Sequence, residues 1–156
     1  MVEKVLVIRI KGVVKTDKEI KDTLYLLRLR KTMTAAIYDK NPSILGMIKK
    51  VEPWVAWGEI NKETFKLLLL KRGRLKGNKR ITEKYIKEKT GLSIEEFIEK
   101  YFNNEIKLED LGIKPFFRLK PPSKGFPRKG IKMPYNLGGA YGYYGKDIND
   151  LLLRMI

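Results

Sequence analysis

Cysteine, histidine and glutamine are all missing from this 156-residue chain. Without cysteine there is no disulfide, no thiolate nucleophile and no zinc ribbon; without histidine the commonest general base and metal ligand are gone. Carboxylates and lysines could still do chemistry. Nearly every Asp and Glu, however, stands beside lysines on a predicted helix face, the pattern of ordinary solvated ion pairs. The expectation is a protein that is not an enzyme and holds no metal or cofactor. No stretch approaches the roughly 18 consecutive apolar residues that a membrane span needs, and the four leucines at 67–70 are closely flanked by lysines. The amino end alternates apolar and polar residues through Ile10, a strand pattern and not a signal sequence, so the expectation is a soluble chain without an export signal. Missing glutamine beside abundant lysine and glutamate is the composition bias of hyperthermophile proteins.

What the sequence has in excess is positive charge. Lys and Arg number 34 against 18 Asp and Glu, a net charge of +16, more than solubility requires of a small domain. Such an excess points to a polyanionic partner. With 43% hydrophobic residues the chain can also bury a core. The charge is uneven: residues 1–60 carry 12 basic and 7 acidic side chains, which leaves 22 and 11 for residues 61–156.

Residues 5–10 place Val5, Val7 and Arg9 on one face and Leu6, Ile8 and Ile10 on the other, a first strand closed by Gly12. Thr16 and Glu19 have capping-box spacing, and Ile20, Leu24 and Leu27 recur at helical intervals up to the cations Arg28, Arg30 and Lys31, which are candidate phosphate contacts as readily as solvated charges at a helix end. Residues 32–38 read as a second strand. Asn41 and Pro42 open a helix carrying Ile44, Leu45, Ile48 and Val51 on one side, ended by Pro53. Residues 54–60 alternate again as a third strand, with Trp54 and Trp57 on opposite sides of it in core or edge-protecting roles. The order is β-α-β-α-β.

Beyond residue 60, a helix capped by Asn61 and stopped at Gly73 leads into a run read as a flexible basic loop: Lys71, Arg72, Arg74, Lys76, Lys79 and Arg80, broken by glycines. Thr82 starts a short helix ending at Gly91; Ser93 and Glu96 open another bearing Phe97, Ile98, Tyr101 and Phe102. From 111 to 146 there is no acidic residue, and prolines and glycines punctuate lysines and aromatics. That segment would not fold alone. Within it Arg118, Lys120, Lys124, Arg128, Lys129 and Lys132 are candidate phosphate contacts, whereas Phe116 and Phe117 fit base stacking and core packing equally. The glycine-rich 138–146 lacks the register of a phosphate loop, because Ala140 and Asp147 occupy the positions that need Gly and Ser or Thr. It suits a turn against RNA or a tight entry to a last helix, 148–155, capped by Asp147.

Leu29, Arg30 and Lys31, the stretch Asn41, Pro42, Ser43, Ile44, Leu45, Gly46, Met47, Ile48, Lys49, Lys50 and Val51, and Gly138, Gly139 and Gly142 together resemble the L-thirty family of large-subunit ribosomal proteins in its archaeal form, whose eukaryotic counterpart is L-seven. The similarity spans the chain, residues 1–60 resembling the short core and 61–156 the extension, though Tyr141, Tyr143 and Tyr144 depart from the commoner glycine-turn pattern. The resemblance implies an α+β fold: a ferredoxin-like β-α-β-α-β core with an antiparallel sheet and a basic, partly helical, partly irregular C-terminal RNA-binding extension packed on that core. It implies a cytoplasmic ribosomal protein bound to large-subunit rRNA, with the 5S rRNA a further candidate, beside neighbouring ribosomal proteins and without catalysis or cofactor. On this reading residues 1–60 dock as a body that stays folded when cut after Ile60, while the extension orders on RNA. The rival is a DNA-binding or chromatin module using the helices of 82–102, but its recognition helix would carry Glu95, Glu96 and Glu99, the wrong charge for a groove.

Overall fold

In the computed structural model, which describes residues 4–12, 16–126 and 129–156, the chain builds one five-stranded sheet with helices on both faces. The elements are β1 (Lys4–Arg9), α1 (Lys18–Leu26), β2 (Thr34–Asp39), α2 (Pro42–Lys50), β3 (Val55–Glu59), α3 (Lys62–Arg72), α4 (Glu83–Thr90), α5 (Ile94–Phe102), β4 (Phe116–Arg118), β5 (Gly142–Tyr143) and α6 (Ile148–Met155). The strand order is β4-β2-β1-β3-β5. The three strands expected from the first sixty residues form the antiparallel centre, with Val7 opposite Ala36 on one side and Trp57 on the other. The carboxyl-terminal part supplies both edges: β4 antiparallel to β2 and β5 parallel to β3.

The alternation in β1 explains why two cores exist. Val5 and Val7 face α1 and α2, where Leu24, Leu27, Leu29, Ile48, Val51 and Val55 close a first cluster. Leu6, Ile8 and Ile10 face the other way, into a larger cluster with Phe65, Leu68, Phe97, Phe117, Ile148 and Leu152. Period two sends alternate residues to opposite faces, and here both faces are buried. The second cover comes entirely from residues beyond 60. A chain cut after Ile60 would leave Leu6, Ile8, Ile10, Ala35 and Ala56 facing water, so the expectation that 1–60 stays folded when cut there meets a direct physical objection.

Caps behave as expected at three helices: the side chains of Asn41, Asn61 and Ser93 accept from the amides of Ile44, Thr64 and Glu96 at 2.9, 2.8 and 3.3 Å. Each such cap contributes about 1 kcal/mol. Thr82 likewise accepts from Tyr85, and α4 ends in left-handed Gly91. Two caps differ. The residue preceding α1 is Asp17, which makes no side-chain capping bond, and Glu19 meets Lys50 on α2 at 2.7 Å. Asp147 sits in a short 3-10 turn before α6 and accepts from the Tyr135 hydroxyl at 2.7 Å, so its carboxylate is spent on a neighbouring loop.

The tryptophans also depart from expectation. Trp54 lies in a short 3-10 turn, Glu52–Trp54, ahead of β3, so the strand period does not apply to it and both rings pack on the first cluster. Trp57 additionally meets Tyr143 of β5, ring centroids 4.5 Å apart. Of the two adjacent phenylalanines, Phe117 is wholly buried and therefore a core residue, while Phe116 is half-buried.

Candidate nucleic-acid interface

Of residues 71–80, the first two finish α3 and 74–80 form a tight hairpin, not the flexible loop expected from their glycines. A Cβ on Gly73 would fall 2.3 Å from the Leu69 carbonyl oxygen and 2.6 Å from Ile81 Cδ1, so only glycine lets the chain leave α3 this closely. Arg74 bridges Arg80 across the hairpin, the Leu75 amide donates to the Lys79 carbonyl at 2.7 Å, and Gly77 and Asn78 turn the chain at φ 83° and 62°. Leu75 packs on the core and bridges Ile113. This anchoring leaves Lys76, Lys79 and Arg80 exposed on a rigid tip, with Lys71 exposed and Arg72 half-buried at the end of α3. Arg74 turns inward, donating to the carbonyls of Lys71 and Gly73 at 3.3 and 2.9 Å. The cleft between hairpin and α4 is lined by Lys76, Lys79, Arg80, Lys84 and Lys89, with Tyr85 and the single carboxylate of Glu88.

A second run of cations is laid along the β4 edge by backbone bonds. Lys114 donates to the Arg74 carbonyl, so the segment starts at the hairpin. It then pairs Arg118 with Thr34, and the Leu119 amide donates to the Met33 carbonyl at 2.8 Å. Farther on, Lys120 and Ser123 donate to the carbonyls of Met155 and Arg154, and the Arg154 guanidinium donates back to Ser123 and Gly125. Alternation buries Phe117 and Leu119 and leaves Arg118 and Lys120 exposed; farther on Pro122 is buried and Lys124 exposed. The strand pairing brings this run to the sheet end that also holds the corner with exposed Arg28, Arg30 and Lys31. Those three lie beyond α1 and not within its last turn, because the helix ends at Leu26 and Arg28 turns the chain at φ 64°. Lys129 and Lys132 are exposed on a separate turn, closed where Gly139 packs so tightly that a Cβ would lie 1.8 Å from the Met133 carbonyl oxygen. Arg128 lies outside the described residues.

Ion pairing sorts the cations into two kinds. Among the described residues, Lys62 and Lys66 on α3 meet Glu99 and Glu95 on α5 at 2.8 and 3.0 Å, Lys40 meets Glu59, and Lys50 meets Glu19. Buried Lys4 meets Asp39 at 2.5 Å and also donates to Asn104. Of the described candidate contacts only Arg28 has such a partner, Glu109 at 3.3 Å. The hairpin and β4-edge cations have no carboxylate partner among the described residues, so a phosphate would displace none. Lys114, in the acid-free segment, belongs to the same run. Lys84 and Lys89 were hidden in the sequence by Glu83 and Glu88, their neighbours on α4.

The glycine-rich turn packs in part against the rest of the chain and leaves Leu137 and Tyr143 exposed. Tyr143 donates to both Glu59 oxygens at 2.6 and 2.8 Å, and Tyr144 donates to the Ala140 carbonyl while stacking on Tyr135 at 3.9 Å. Burial pushes the Glu59 carboxyl up, but hydrogen bonds from Tyr143 and Lys40 outweigh it and hold the group below its ordinary value. Among the described residues no cluster of acidic side chains could hold a metal ion, and no helix is long and apolar enough to cross a membrane.

The family model described as "Ribosomal protein L30p/L7e" matches residues 5–55. The chain is 49% identical over 150 residues to large ribosomal subunit protein uL30 of Nanoarchaeum equitans, covering 96% of this chain and 97% of that one. It is 48% identical to the protein of the same name from Methanococcus maripaludis, with the same coverage, and 47% identical to that of Methanopyrus kandleri, covering 94% and 99%. An exposed basic face on a ferredoxin-like sheet and this near-complete likeness lead to one conclusion: the chain belongs to the uL30 family of large ribosomal subunit proteins.

Proposed function

We propose that the protein is a structural constituent of the large ribosomal subunit in the cytoplasm and binds its rRNA through the hairpin, the β4 edge and the 28–31 corner. The observation that carries this is the segregation of charge: acids neutralise lysines across α3 and α5, while six cations in 71–80 and the described cations of 114–132 are left without acidic partners among the described residues. Each such cation that meets a phosphate releases condensed counterions, so affinity should fall steeply with salt. Residues 1–60 act as the positioning body and residues 61–156 supply most RNA contacts. The described part of that extension is preformed by its bonds to β2 and α6, so less ordering entropy opposes binding than in a disordered tail. The 5S rRNA is a further candidate partner through the same chemistry, and neighbouring ribosomal proteins fit the faces without unpaired cations.

The test is filter binding of purified large-subunit rRNA across a salt series. Wild-type protein should give a steep log-log slope, and the triple substitution Lys76→Glu, Lys79→Glu, Arg80→Glu should weaken binding at every salt and flatten that slope by about three units. A salt-independent wild-type affinity would refute the reading. The DNA-binding alternative is disfavoured by α5 itself, whose Phe97, Ile98, Tyr101 and Phe102 are buried and whose Glu95 and Glu99 are tied to α3.

A further inference from the structure

Apart from the hairpin, α1 and the strand of chain that follows it enclose a small concave site. After Leu26 the chain reverses: Arg28 donates to the Tyr25 carbonyl, Leu29 donates to the Leu24 carbonyl, both at 2.9 Å, and left-handed Arg28 sends residues 29–33 back toward the start of β2. The opening, of about 240 Å³, is lined by Arg9, Lys21, Leu24, Tyr25, Leu29 and Arg30. Its floor is apolar, Leu24 and Leu29 being 1% and 0% exposed, and its wall is Tyr25, 57% exposed and among the most exposed large hydrophobic residues of the chain. The Arg30 guanidinium lies over that ring, 4.2 Å from its centroid.

We propose that this site receives one unstacked base of ribosomal RNA, held against Tyr25 and Arg30 over the leucine floor, with Lys21 meeting an adjoining phosphate. The inference rests on the rRNA-binding reading above and adds to it a contact of a different kind. An exposed tyrosine over leucines would also suit an apolar protein side chain, but the lining carries three cations and no carboxylate. Arg9, only 6% exposed, is held by the carbonyls of Leu29 and Lys11 and has no acidic partner among the described residues. Glu19 of the same helix is drawn away to Lys50 on α2, and Asp22 is not among the lining residues. A buried guanidinium without a counter-charge among the described residues and two stackable planar groups favour a planar ring attached to a phosphate. A base inside an A-form stem has neighbours on both faces and cannot enter; the occupant is therefore a loop, bulge or extruded nucleotide.

Tyr25→Ala and Tyr25→Phe test this with full-length protein and purified large-subunit rRNA. Tyr25→Ala should weaken binding about tenfold at every salt concentration without changing the log-log slope, because stacking releases no counterions, and Tyr25→Phe should bind like wild type. Lys21→Ala should instead lower the slope by about one. Ultraviolet cross-linking of the wild-type complex should give a nucleotide adduct on the peptide containing Tyr25, and thermal melting should show that the exposed substitution leaves the fold intact. An affinity of Tyr25→Ala within about twofold of wild type would overturn the proposal, as would absence of the adduct. Full RNA affinity with loss of incorporation into the subunit would overturn it in favour of a neighbouring protein. If the hairpin substitutions still flatten the salt slope in any of these cases, the RNA-binding reading stands while the base site falls.

Discussion

The two faces of the sheet are equally buried but are covered in opposite ways. One is closed by α1 and α2, which connect β1 to β2 and β2 to β3 in the antiparallel centre, so its cover is local in sequence. The other is closed by α3, α5, α6 and the irregular segments around β4, all from beyond residue 60. The second cover does two jobs. Its inward side completes the core with Phe65 stacked on Tyr101 at 4.6 Å and Phe102 set edge-on to Phe65; it also carries the hairpin and β4-edge cations, which have no carboxylate partner among the described residues. The lesson is that an extension with the composition of an RNA-binding tail can be an integral layer of the fold. Its prolines and glycines make tight turns against that layer, as at Gly73 and Gly139.

The sharpest way to break this comparison is truncation after Ile60, which should abolish cooperative thermal unfolding because one whole sheet face loses its cover; a sharp melt from residues 1–60 would show the second cover to be dispensable. Next in size, Phe117→Ala should cost about 3–5 kcal/mol in denaturant unfolding, comparable to a large core truncation on the first face, whereas half-buried Phe116→Ala should cost clearly less. A negligible effect at Phe117 would make β4 a detachable edge. Gly139→Ala should destabilise by about 1–3 kcal/mol, since the added methyl meets the Met133 carbonyl and the turn must shift; an unchanged melting temperature would contradict the packing.

Smaller effects separate the two kinds of cation. Lys79→Ala should lower the salt slope of rRNA binding by about one unit, while Lys66→Ala, whose lysine is engaged by Glu95, should leave it unchanged. Smallest is the pH response of the β3–β5 edge. Glu59 is held below its ordinary value, so it binds its proton less readily in the folded state than in the unfolded one. Its contribution is present above the ordinary carboxylate range and is lost as pH falls through the lowered value. Glu59→Gln should reduce that acid dependence, measured as melting temperature between neutral pH and about pH 3. An identical acid profile in the variant would remove Glu59 from this role.

Much of this was legible in the sequence because it rests on local rules. Period-two alternation gave β1 and β3, Asn41 with Pro42 and Asn61 gave the starts of α2 and α3, and the missing Cys and His removed whole classes of chemistry. The departures share a cause, which is that long-range partners outbid local ones. Glu19 pairs with Lys50 across the α1–α2 interface, and Asp147 gave its carboxylate to Tyr135. The 71–80 loop became a hairpin because Leu75 and Ile81 bury in the core that α3 shares. Composition could count cations but not tell paired from unpaired, since Lys66 and Lys79 look alike in sequence and differ only in whether Glu95 lies opposite.

The sequence by itself therefore determined the charge, the element order of the first sixty residues, the absence of cysteine and histidine chemistry, and the likeness to a ribosomal family. Tertiary structure alone decided that the extension forms both sheet edges and the second cover, that Phe117 is core, and that Tyr25 stands exposed beside Arg30. The physical reason is reach: strand period and capping act within a few residues, whereas burial and ion pairing act between residues that only the fold brings together.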